Sequence, residues 1–80
     1  MKIPVIKRLV ETTALDALRQ AEEDLLEENP LQIEVGGDDE GEQLTHIFAA
    51  IYILEQIQNE GMEFKQALRA YTLKVRTSIS

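Results

Sequence analysis

DDEGEQLTHIFAAIYILEQIQNEG, residues 38–61, opens with four carboxylates, runs through an almost wholly apolar centre and ends on a glycine. Acids favour the positive end of a helix dipole, and glycine suits the left-handed residue that closes a helix. The spacing therefore predicts a helix of about 30 Å, the longest element of the chain. Asp39, with Glu42 three residues on, has the spacing of a capping pair. On a helical wheel Leu44, Ile47, Phe48, Ile51 and Leu54 form one apolar stripe, and His46, Ala50, Ile53 and Ile57 form a second. Together they cover well over half the circumference, so both sides of this helix want cover.

What lies around that helix limits how it is covered. The whole sequence has 80 residues, and a chain of that size buries only about 60% of the surface its unfolded form exposes. One way to cover the second stripe is the chain itself, through its N-terminal helix and the segment before the acids. The other is a second copy, an isologous contact of the commonest kind. The size argument tips the expectation toward a homodimer through Ala50, Ile53 and Ile57, with His46 at the rim.

Outward from the centre, residues 4–11 gather Val5, Ile6, Leu9 and Val10 on one side and Lys7, Arg8 and Glu11 on the other, with Pro4 suited to a first helical turn. A second helix is expected from Thr13 as N-cap, with Asp16 three residues on. Its stripe would be Ala14, Leu18, Ala21 and Leu25, and Asn29-Pro30 would stop it. LQIEVGG, residues 31–37, alternates Leu31, Ile33 and Val35 against Gln32 and Glu34, yet no second strand pattern exists to pair with it. It reads as an extended connector. Beyond Gly61, residues 63–77 place Phe64, Leu68, Tyr71, Val75 and then Ile79 on one helical face, closing an antiparallel hairpin with the central helix. The fold class is all-α: one domain over residues 1–80, a small bundle of three to four helices.

Charge and composition narrow the chemistry. Cysteine is absent, which removes disulfides, thiol catalysis and thiolate zinc sites. The net charge is −7, and thirteen of the fifteen acids fall between Arg19 and Lys65, a span without a single base. Nucleic acid and anionic membrane both need a contiguous basic surface, so neither is an expected partner. The opening MKIPVIKRLV holds no apolar run of signal-peptide length, and nothing later reaches the roughly 18 apolar residues that would span a bilayer, which points to the cytoplasm. The basic residues Lys65, Arg69 and Arg76 form a stripe on the last helix, and Asp16, Glu23 and Glu27 form an acidic one on the second. Such exposed pairing contributes at most about 1 kcal/mol per pair.

Candidate sites are few. Glu42 and His46 stand four apart and have the spacing to share a divalent metal with Asp38, Asp39 and Glu40 of the acidic loop, the rival reading to an interaction protein. The two-histidine metalloprotease pattern is missing, and setting Gly41 on the invariant glycine of a calcium loop leaves Gly36 and Ile47 where ligands belong. Serine occurs only as Ser78 and Ser80, and VGGDDEG lacks the lysine of a phosphate loop. No catalytic residue and no cofactor are expected.

MKIPVIKRLVE, EGEQLTHIFAAIYILEQI and FKQALRAYTLKVRTSIS together resemble a family of small cysteine-free proteins of Bacteroidetes, of unknown function, over nearly the whole chain. The resemblance implies a bacterial cytoplasmic protein and brings no activity, cofactor or catalytic residue. It also suggests an accessory to thioredoxin-like or peroxiredoxin-like redox enzymes, a role in which this chain could not itself exchange thiols.

Overall fold

Four helices form in the order α1 (Ile3–Thr12), α2 (Leu15–Leu26), α3 (Glu40–Glu60) and α4 (Phe64–Ile79), with no strand among the described residues. The computed structural model describes the backbone of residues 2–79 and the side chains of residues 2–75. The side chains of Arg76, Ser78 and Ile79, and all of Ser80, lie outside the described residues.

α1 forms as the periodicity predicts. Lys2 is the extended N-cap, Pro4 sits in the first turn, and Ile6 and Leu9 are buried with Val5 and Val10 half-buried beside them. The start of α2 differs from the expectation. The Thr13 N–H closes α1 on the Leu9 carbonyl, so Thr13 ends one helix instead of capping the next. Ala14 takes the N-cap position with extended angles and no side-chain bond, and it is exposed. Because the helix begins one residue later, Leu15 replaces Ala14 beside the buried Leu18 and Ala21. The stop falls where Asn29-Pro30 predicts it: Glu28 turns left-handed at φ 60° and the Asn29 N–H returns to the Asp24 carbonyl at 2.8 Å.

The connector alternates as its sequence does, with Val35 buried, Leu31 and Ile33 half-buried, and Gln32 and Glu34 exposed. α3 opens on the Asp39 carboxylate, which accepts from the Glu42 N–H at 2.7 Å. It closes at Gly61, whose φ of 66° is one an L side chain resists; there the Gly61 N–H bonds to Ile57 and the Met62 N–H to Gln56. Three residues later α4 begins. It runs back along α3, bringing Tyr71 against Tyr52 with ring centroids 5.5 Å apart.

α1, α2 and α4 each pack on α3. The buried residues of α3 are His46, Ile47, Ala49, Ala50, Ile53 and Leu54. At 100° per residue they span about 160° of the wheel, and the arc is centred on the second stripe. The cover for that stripe therefore comes from the chain itself: His46, Ala50 and Ile53 are each 0% exposed and Ile57 is half-buried. His46, Ala50 and Ile53 therefore have no surface to offer a second copy, which corrects their expected role as contact residues, while Ile57 keeps part of its surface open.

One buried carboxylate is poorly served. Asp24 is 5% exposed; its Oδ1 accepts from Gln20 at 3.0 Å, while Oδ2 has no partner and lies beside a cavity of about 40 Å³ that Ala17, Ile33 and Gln32 help to line. A half-satisfied buried polar group is a net burden, and leucine is also the better helix former. Asp24→Leu is thus expected to raise unfolding stability by about 1 kcal/mol in a denaturant titration. A loss of stability would mean that the carboxylate has a partner the fold depends on.

Candidate functional site

His46 lies where three segments meet. The Lys2 backbone N–H donates to its Nε2 at 2.9 Å, and its Nδ1 lies 2.6 Å from the Gly36 carbonyl oxygen. A neutral imidazole carrying its proton on Nδ1 satisfies both contacts at once. The ring thereby ties the start of α1 and the end of the connector to α3. Gly36 makes the approach feasible, since a Cβ there would stand 3.0 and 3.1 Å from the two methyls of Val5. The residue expected at the rim of an interface is instead an interior clamp.

Its neighbour on the helix, Glu42, is also engaged. Glu42 Oε1 lies 3.6 Å from the Lys2 ammonium, inside ion-pair range and beyond hydrogen-bond reach. Asp38 meets the same ammonium at 3.6 Å. With both His46 nitrogens used by backbone groups, a metal shared by Glu42 and His46 would have to break the clamp first. No group of three or more His, Cys, Asp or Glu side chains is arranged to hold a metal ion among the described residues.

The apolar surface left over is on the opposite arc of α3. Phe48 is 42% exposed, and with Ile51, Tyr52 and Glu55 it forms one wall of a groove of about 380 Å³ whose other wall is Tyr71, Lys74 and Val75 of α4. The sequence has four aromatic residues, two Phe and two Tyr, and three of them line this groove. None of the four is in the fully buried core, which is built of aliphatic side chains, alanine and His46. Val75, expected to face inward, is 39% exposed because α4 at that height lies over the outward arc of α3. Two charges mark the edge: the Lys74 ammonium stands 5.0 Å from the Tyr52 ring centre, and Glu55 accepts a hydrogen bond from Arg19 at 2.9 Å. Burial raises the pKa of the Tyr71 hydroxyl above its ordinary value of 10.0.

The helical wheel places Phe48 and Ile51 in the first apolar stripe and leaves Tyr52 out of both. The available signal was that so few aromatics fall so close together at the two ends of one hairpin.

Of the basic stripe of α4, Lys65 and Arg69 take part in no ion pair with α2 among the described residues, and the Arg76 side chain lies outside them. The ion pairs among the described residues are Lys2 with Asp38 and Glu42, and Arg19 with Glu55. Both helices pack on α3, which stands between them.

The described residues thus combine an interior histidine clamp with an aromatic groove on the surface. The chain belongs to a family of unknown function, DUF6952, whose match runs over residues 1–80. No curated protein and no solved structure matches it. No helix among the described residues is long and apolar enough to cross a membrane.

Two outcomes follow from this geometry. His46→Leu strands the Lys2 N–H and the Gly36 carbonyl and should cost about 3 kcal/mol of stability by chemical denaturation, with loss of exchange protection at the start of α1. For the wild type, adding Zn²⁺, Mn²⁺ or Ca²⁺ should leave the unfolding midpoint in place; a rise would revive the metal reading. Tyr71 supplies a pH dependence. Its raised folded-state pKa means the folded form keeps the proton longer than the unfolded one. The associated stability is present below pH 10.0 and is lost as pH climbs through the higher folded value. Tyr71→Phe should flatten the alkaline limb of a stability–pH curve, and an unchanged limb would assign it to other groups.

Proposed function

We propose that this chain is a non-catalytic interaction or accessory protein of the bacterial cytoplasm that self-associates through the outer arc of α3 and the facing side of α4. The observation that carries the reading is the concentration of aromatic surface in the groove of Phe48, Tyr52 and Tyr71, with Ile51 and Val75 between them. Protein contacts are enriched in aromatic side chains at their centres, and a soluble chain this short has little reason to leave three of four outside its core. The rim supports a second copy as occupant. It carries charges of both signs, Glu55 paired with Arg19 and Lys74 over the Tyr52 ring, so a second copy about a two-fold axis does not meet a surface of a single sign.

Support for an accessory role is chemical. A sequence without cysteine cannot take part in thiol exchange, so any service to a redox enzyme would be by docking. The metal alternative has less behind it, since His46 is occupied on both nitrogens.

Two substitutions on α3 separate surface from interior. Phe48→Asp should give a folded protein that sediments as a single chain at concentrations where the wild type is dimeric. Ile53→Asp, placing a charge at a position 0% exposed, should unfold the chain. A wild type that stays monomeric at millimolar concentration would end the self-association reading.

A further inference from the structure

A second groove, on the other side of the molecule's charge balance, suits something unlike this chain. It lies between α1 and α4, holds about 430 Å³, and is lined by Ile3, Lys7, Glu63, Phe64, Lys65 and Leu68. Its floor is apolar: Ile3 is 48% exposed, and Phe64 and Leu68 are half-buried. Lys65 continues into an adjoining recess of about 200 Å³ with Gln66 and Arg69. The surface therefore presents three cations, Lys7, Lys65 and Arg69, against the one carboxylate of Glu63. None of the three cations takes part in the ion pairs among the described residues. On a chain of net charge −7, this is a local reversal of sign over exposed apolar ground.

We infer that the α1/α4 groove is a docking site for an acidic amphipathic segment of another protein, one that sets a large apolar side chain on Ile3, Phe64 and Leu68 and its carboxylates on Lys7, Lys65 and Arg69. Charge complementarity selects the occupant. A second copy meeting this groove about a two-fold axis would bring like charges together, in contrast to the mixed rim of the α3/α4 groove. A groove whose floor is half open covers one side of a ligand, whereas a small-molecule site encloses most of its surface. It fits the apolar face of a helix or an extended peptide. An anionic bilayer would have to accept the rest of an acidic molecule against its own charge.

The test uses the full chain and a labelled synthetic peptide of about fourteen residues with leucine at helical spacing and glutamate elsewhere. Its counterpart carries lysine in place of glutamate. Fluorescence anisotropy should show binding of the acidic peptide only, weakened about tenfold or more by moderate salt and by the double substitution Lys7→Glu with Lys65→Glu. Both positions are exposed, and an unchanged circular dichroism spectrum and unfolding midpoint would show the fold intact. Phe48→Asp, on the other groove, should leave peptide binding as it is, so loss of self-association and loss of docking read out separately. The inference is overturned if neither peptide binds, if both bind equally, or if the double variant binds like the wild type. It is equally overturned if phosphatidylserine vesicles bind the wild type and lose it in the double variant, which would make the occupant a lipid surface.

Discussion

Among the described residues, every substantial packing of one helix on another includes α3. α1, α2 and α4 pack against that helix and barely against each other, so burial of its inner arc is the step on which the remaining helices depend. This follows from size. With so few residues an economical arrangement is one long apolar rod with shorter amphipathic helices laid along it. The rod must then be apolar over more than a surface helix would be, which is what its two stripes record. Small residues at its centre, Ala49 and Ala50, together with Ala21 on α2 and Ala67 on α4, let the helices approach closely.

An axis shared by three helices still leaves a gap, because three helices do not close a ring around a fourth. The arc of α3 that its neighbours cover least falls at Phe48, beside the half-buried Ile51 and Tyr52, and it carries two aromatic rings next to Glu55. The same logic applies where α1 and α4 diverge beside Phe64, except that there the edges are cationic. Both surface grooves are thus by-products of the way the core is covered. Their rims differ: the first carries Glu55 and Lys74, the second Lys7 and Lys65 beside Glu63.

Much of this was legible in the sequence. Helix number, the extended connector, the Asp39 cap, the Gly61 stop and the hairpin all depend on local chemistry, which a sequence displays directly. The failures were global ones. Thr13 has the composition of an N-cap, but its N–H was already committed to ending α1, and only the tightness of the turn between two helices reveals that. For α3 the wheel identified the apolar residues and not which of them face inward. That depends on where α1, α2 and α4 settle, and the size argument sent the cover for His46, Ala50 and Ile53 to another chain when their own chain had enough.

His46 shows why a lone histidine is a poor guide to chemistry. Its position four residues after Glu42 invites a metal, yet in the fold its two nitrogens serve as one acceptor and one donor for backbone groups that would otherwise be left wanting at the junction of α1 and the connector. An aliphatic side chain could fill the same volume but could not answer the Lys2 N–H. A primary amide could bond both groups only if its reach matched the ring's. The imidazole here is a spacer of fixed length with opposite polarity at its two ends, and that requirement alone accounts for a polar residue at the centre of so small an apolar core.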